Sequence, residues 1–187
     1  FFGPQGGLIA SELSDEEWSK CKSRVFPGVT SNHHLHRIPA LAVALLEFQK
    51  FGVDYAKQIV ANAKAFAQAL SEAGFEVCGE EFNFTESHQV AVDVSALGGG
   101  LPVANALEEN NIIANKNLLP WDKISLATLE NPSGVRLGVQ EMTRWGCKEG
   151  EFQEIAGLFK KAVLEKKNVK GEVIEFKRRF QKIGYCF

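Results

Sequence analysis

The chain has 187 residues, of which 45% are hydrophobic, 24% charged and 10% aromatic, and its 21 basic and 23 acidic side chains leave a net charge of −2. Such a balanced composition excludes disorder, collagen and a small disulfide-stapled scaffold, and it offers no basic footprint for nucleic acid or an anionic membrane. The longest apolar run, Ile38 to Leu46, falls far short of the ~20 residues of a bilayer crossing, so neither nucleic acid nor a membrane is expected as a partner.

The chain opens Phe1-Phe2-Gly3-Pro4 without methionine, and its one methionine is Met142. An apolar pair running into a Gly-Pro turn predicts a processed protein or a piece of a longer one, cut within a core. Leu8-Ile9-Ala10 is read as a short buried strand. Ser14-Asp15-Glu16-Glu17 fits a capping box, which predicts a helix through Trp18 and Cys21 that ends at Phe26-Pro27-Gly28. A polar loop through Thr30 and His36 precedes Pro39 and a long Ala/Leu-rich helix. Leu41, Leu45 and Phe48 share a face of that helix, Gly52 is expected to interrupt it, and Tyr55, Ile59, Ala63, Phe66 and Leu70 resume it up to a left-handed cap at Gly74.

Beyond Gly74 the period changes. Phe75 to Cys78 and Gln89 to Val94 alternate as strands, and Gly98-Gly99-Gly100 reads as a flexible break before a helix with Pro102 in its first turn. Ile112-Ile113-Ala114 is taken as a third strand. In a fourth, Val135, Leu137 and Val139 face one way and Arg136 the other. A helix follows, with Phe152, Ile155, Phe159 and Val163 on one side, Glu149, Glu151 and Glu154 early and Lys160, Lys161, Lys166 and Lys167 late, an order that complements the helix dipole. Val173, Phe176, Phe180 and Ile183 predict a last amphipathic segment. The pattern is that of an α+β unit after a long connecting helix, with boundaries at residues 1–36, 37–73 and 74–187. The four cysteines, Cys21, Cys78, Cys147 and Cys186, show no CxxC spacing, and no signal peptide is recognisable, which together predict reduced thiols and a cytoplasmic protein.

Four features can carry chemistry. The loop from Pro27 to His36 precedes a helix and can present backbone N–H groups to a phosphate, although an ordinary connecting loop has the same composition. His33, His34 and His36 crowd that loop without acidic or cysteine ligands at a zinc spacing, so no metal site is assigned. Asn115-Lys116-Asn117 precedes Leu118-Leu119-Pro120-Trp121, placing amides beside apolar surface, as a flat heteroaromatic ligand requires. Arg136 within an apolar strand needs a partner, which is either a structural carboxylate or the carboxylate of a ligand held by the planar guanidinium fork.

These segments occur together in one family. Phe1-Phe2-Gly3-Pro4-Gln5-Gly6-Gly7, Val25 to His36, Phe84 to Val90, Asn115 to Asp122 and Pro132 to Arg144 stand in the order found in serine hydroxymethyltransferase, and the chain resembles the archaeal-type branch from Phe1 to its terminus. The resemblance implies a pyridoxal 5'-phosphate transferase of the aspartate-aminotransferase fold type I, in which residues 1–36 end the large α/β domain, 37–73 connect, and 74–187 form the small C-terminal α+β domain. It implies interconversion of serine and glycine with tetrahydrofolate or tetrahydromethanopterin as one-carbon carrier, the cofactor serving as electron sink. Arg136 matches the residue that clamps the substrate carboxylate, and Lys116 and Asn117 fall in the loop that contacts the pterin. Ser31 and Asn32 align with the loop that reaches the cofactor phosphate of a neighbouring subunit, which implies a homodimer with shared sites.

In the family the Schiff-base lysine sits in a Thr-His-Lys-Thr run directly before the segment matching Phe1 to Pro4. The resemblance therefore implies the C-terminal part of the enzyme, inactive in isolation, with no catalytic lysine of its own. A non-catalytic binding or assembly module of the same fold is the alternative, and a histidine-based metal protein a more distant one. Apolar surface and self-association are expected of such a piece.

Overall fold

The computed structural model describes residues 2–32 and 34–187. The described chain divides into two compact units, one reaching to Gly52 and including Phe187, the other spanning Val53–Cys186.

In the first unit, Leu8 and Ile9 are 73% and 62% exposed and no strand forms at Leu8-Ile9-Ala10. The expectation of a buried strand fails because a strand needs a ladder partner for its N–H and C=O groups, and no described segment supplies one. Helix α1 (Asp15–Ser23) starts on the anticipated capping box, with the Glu17 N–H donating to Ser14 Oγ and the Ser14 N–H donating to Glu17 Oε2. A π-type turn over Arg24–Val29 follows, in which Phe26 and Pro27 leave helical angles, and both the N–H and the hydroxyl of Thr30 close it on the Val25 carbonyl. The Arg37 guanidinium donates to the Gln5 carbonyl at 2.8 Å, and Lys50 stands 5.0 Å from the Phe51 and Phe187 ring centres.

Helix α2 (Arg37–Glu72) runs without interruption through Gly52. A Cβ at Gly52 would lie 2.8 Å from Phe48 Cδ1, so this glycine makes room for a ring one turn earlier rather than breaking the helix. The division between the units falls inside α2 at this residue.

The second unit holds the rest of α2, which ends where Gly74 takes φ +100° and Phe75 N–H returns to the Leu70 carbonyl. There follow β1 (Glu76–Val77), β2 (Gln89–Asp93), α3 (Gly100–Glu109), β3 (Asn115–Asn117), α4 (Leu126–Glu130), β4 (Gly134–Gly138), α5 (Gln140–Arg144), α6 (Glu149–Val163) and α7 (Lys170–Arg178). The strands form one antiparallel sheet in the order β1-β2-β4-β3. The anticipated third strand is displaced: Ile113 is 80% exposed, and the ladder begins at Asn115, where Asn115 pairs with Arg136, Lys116 with Val135 and Asn117 with Gly134. Polar residues make this strand because it is a short edge, where packing of side chains counts for less than the backbone pairing it completes.

Val90, Val92, Val135 and Leu137 share the buried face of the sheet, and Phe66 of α2 meets Phe152 and Phe159 of α6 at ring separations of 5.5 and 5.8 Å to fill the core. Gly98-Gly99-Gly100 is a fixed close approach, not a flexible break. A Cβ at Gly100 would stand 2.3 Å from the Gly134 carbonyl oxygen, and one at Gly99 would strike Asn131 at 2.5 Å, so only glycine lets α3 start against β4. A buried polar network ties α2 to α5: Asn62 donates to Thr143 Oγ1 at 2.8 Å and to the Cys147 carbonyl at 2.9 Å, Thr143 donates to the Val139 carbonyl, and the Tyr55 hydroxyl donates to the Gln140 carbonyl. Val173 and Phe176 of α7 are buried as the last amphipathic pattern requires, whereas Ile183 lies beyond the helix and is exposed.

Candidate functional site

The period-2 geometry of β4 puts Gly134, Arg136 and Gly138 on the sheet face opposite the core. Across the ladders, Ala91 of β2 and Asn115 of β3 flank Arg136. A long guanidinium arm therefore stands among two glycines, an alanine and an asparagine, in a clearing made by small neighbours. Leu119 packs where a Cβ of Gly134 would be, at 2.6 Å, and the Gln140 side chain folds over Gly138 with Oε1 2.5 Å from the equivalent point. One side of the clearing is thus aliphatic and the other an amide.

The Arg136 side chain is exposed and makes no hydrogen bond or ion pair with any described residue. This departs from the expectation of a desolvated arginine that needs a structural carboxylate, because the covered face is the valine face and the arginine face is open. The acid on the same face, Asp93, is engaged elsewhere: its carboxylate accepts the Ser95 N–H at 2.8 Å and the Trp121 indole N–H at 3.2 Å. An unpartnered guanidinium fork with five donors remains free for an anion.

Arg136, Gln140, His88, Asn115 and Lys116 line one open groove of about 600 Å³, whose apolar wall includes Leu101 and Ala104 of α3. The Lys116 ammonium donates to the Glu130 carbonyl, and the Asn117 amide donates to the Leu118 carbonyl at 2.6 Å, so both are oriented by the β3–β4 connection. That connection is stapled by one atom, Asp122 Oδ2, which accepts the Leu119 N–H at 2.8 Å, the Ser133 N–H at 3.1 Å and the Ser133 hydroxyl at 2.9 Å. The Leu119 N–H, with the two Ser133 donors, holds the Asp122 carboxyl below its ordinary value.

Ser31 and Asn32 belong to the first unit, follow Thr30 and are exposed. The Ser31 hydroxyl has no partner among the described residues. The first amides of α2 are not open to a ligand, since Arg37 N–H and Ile38 N–H donate to the carbonyls of His34 and Leu35. His33 lies outside the described residues. His34 and His36 stack edge-on at 5.7 Å, and no group of three metal-ligating side chains occurs among the described residues.

The structure thus brings together Arg136, Lys116 and Asn115 of the Asn115-Lys116-Asn117 run, leaves Asn117 outside the groove lining, and adds Gln140 at the groove and Asp122 in the connection behind it, which the spacing alone did not single out. The register adds that Asn115 lies directly opposite Arg136. Gln140 could have been found four residues beyond Arg136, where a strand turns directly into a helix.

The family profile for serine hydroxymethyltransferase matches residues 6–159. The serine hydroxymethyltransferases of Staphylothermus marinus and Saccharolobus islandicus are 54% and 53% identical over the whole chain, which spans 43% of the length of each. Among solved structures, the L-threonine transaldolase of Pseudomonas fluorescens in its internal aldimine state is similar over 87% of the chain and 37% of its own length, at a TM-score of 0.76 and 36% identity.

Proposed function

Because the chain belongs to the serine hydroxymethyltransferase family, we propose that it supplies the C-terminal part of a pyridoxal 5'-phosphate enzyme that interconverts serine and glycine with a tetrahydropterin one-carbon carrier. The fold is mixed α/β with a small antiparallel sheet, in keeping with the fold type I transferases. The observation that carries the proposal is the free Arg136 fork in a clearing of small residues. An amino-acid carboxylate can take two parallel N–H···O bonds there without displacing an existing partner.

When bound, pyridoxal 5'-phosphate supplies the electron sink that weakens bonds at the substrate α-carbon. Arg136 fixes the carboxylate end of the substrate, so that one end of a small molecule is set before any bond is broken. Lys116 and Asn117 are assigned to the pterin: Lys116 lines the groove with Leu101 as apolar surface, and Asn117 follows it at the end of β3. Ser31 and Asn32 are assigned to the cofactor phosphate of the partner subunit in a homodimer. An exposed, unpartnered Ser31 hydroxyl fits a phosphate oxygen, since it is a donor with no internal bond to give up. The free thiols of the four cysteines suit a reducing cytoplasm, and among the described residues no helix is long and apolar enough to cross a membrane.

Arg136→Ala in the holoenzyme that contains this chain is the direct test. Loss of a bidentate charge-assisted pair should raise the amino-acid KM about tenfold or more. An unchanged KM for both serine and glycine removes Arg136 from the site.

A further inference from the structure

The Asp122 staple spans the two sides of a single strand pair. Its donors are Leu119, two residues after Asn117, and Ser133, immediately before Gly134, and Asn117 and Gly134 are register partners at the end of the β3–β4 ladder. That ladder is three pairs long and lies at the sheet edge, whereas β4 is held on its other side by five pairs with β2. Arg136 sits in the middle of β4, paired to Ala91 on one side and Asn115 on the other. The residue assigned to the carboxylate and the residue assigned to the pterin are therefore held by different means. Arg136 depends on the interior ladder, and Asn117 depends on an edge that frays unless its open end is closed.

We propose that Asp122 is a positioning residue for the pterin side of the site: by accepting three hydrogen bonds on one oxygen it closes the β3–β4 connection and sets Asn117 and Leu119 against β4, independently of the carboxylate clamp. Leu119 shares this dependence, because its N–H is one of the three donors and its side chain fills the space over Gly134 beside Arg136. Lys116 is tied to the same connection through the Glu130 carbonyl. Removing the Asp122 carboxylate leaves the Leu119 and Ser133 amides without that acceptor and frees the end of the edge strand, while the β2–β4 ladder that carries Arg136 keeps all its bonds. This inference rests on the assignment of the chain to a pterin-dependent hydroxymethyltransferase.

The test uses the active holoenzyme containing this chain, with tetrahydrofolate or tetrahydromethanopterin, whichever the wild-type enzyme turns over. Asp122→Ala should raise the pterin KM about tenfold or more while the amino-acid KM stays within about twofold, because only the edge-strand group is displaced. Asp122→Asn keeps an acceptor oxygen and should recover most of the loss, and Ser133→Ala, which removes one donor of three, should raise the pterin KM only about threefold. Hydrogen exchange at the Leu119 and Ser133 amides should accelerate in Asp122→Ala and not in Ser133→Ala. A pterin KM unchanged in Asp122→Ala, or pterin and amino-acid KM values rising together, overturns the proposal, and if Asp122→Ala does not assemble, the other two variants decide by the same split. A wild-type holoenzyme with no pterin-dependent turnover at all would instead overturn the family-based function on which the proposal rests.

Discussion

The two units of the chain are both rich in apolar residues, yet they use them differently. Among the described residues up to Gly52, Ala44 is the one buried apolar side chain, while Leu8, Ile9, Val29, Leu35, Ile38, Leu45 and Leu46 are exposed. From Val53 onward, apolar residues at the same kinds of spacing are buried in numbers: Tyr55, Ala63, Phe66 and Leu70 on α2, Val90 and Val92 on β2, and Phe152 and Phe159 on α6. Helix α2 passes through both units and shows the contrast within one element. Apolar spacing therefore marks which face of a helix is able to be covered, and the neighbours of that face determine whether it is. The uncovered residues of the first unit fit the homodimer and longer polypeptide proposed above, where further protein surface would meet them.

The sharpest way to break this contrast is to truncate an apolar residue in each unit. Phe152→Ala should cost about 3–5 kcal/mol in denaturant unfolding, because it empties a ring site against Phe66, whereas Ile9→Ala should stay within about 0.5 kcal/mol. Equal effects would show that the first unit has a core of its own. Next in size is Asn62→Ala, which removes the amide that donates to Thr143 Oγ1 and to the Cys147 carbonyl and should cost about 1–3 kcal/mol. An effect confined to thermal stability, with no change in either substrate KM, would show that the α2–α5 network holds the fold without adjusting the groove. An amino-acid KM that rises with it would tie Gln140 and Arg136 to that network.

The smallest effect concerns the α6–α7 surface of the second unit. Arg179 donates to both oxygens of Glu154, at 2.6 and 3.0 Å, and these bonds hold the Glu154 carboxyl below its ordinary value. With the folded-state value lowered, the contribution is present above the ordinary glutamate range and is lost as pH falls through the lower folded-state value. The stability difference between wild type and Glu154→Gln should therefore be constant near neutrality and vanish in acid, and it should be small because the pair is exposed. A difference that persisted below that range would mean that Glu154 acts by packing and not by charge.

Much of the local structure was legible from residue order. The capping box at Ser14, the cap at Gly74, the face parity of β4 and the charge order of α6 are local patterns, and each appears where the spacing places it. Three local rules were overruled by contacts. Gly52 should weaken a helix, yet it continues α2 because Phe48 needs its missing side chain. Ile112-Ile113-Ala114 has the apolar content of a strand, yet the ladder forms one step later, at Asn115, opposite Arg136. Gly98 to Gly100 looks like a loose hinge, yet two of its glycines are pressed against Asn131 and the Gly134 carbonyl.

The candidate site divides in the same way. Arg136, Lys116 and Asn117 stand out as residue types in a strand and its neighbouring loop, and the order of motifs along the chain is enough to point to its family. What residue order could not decide is that the Arg136 side chain is exposed and unpartnered, that glycines and Ala91 clear the space around it, and that Asp122 closes the connection that follows Asn117. Periodicity and capping act between residues a few positions apart, so the sequence alone determines them. Which face is covered, which charge finds a partner and which edge is stapled depend on groups brought together from distant parts of the chain, and only the tertiary structure sets those.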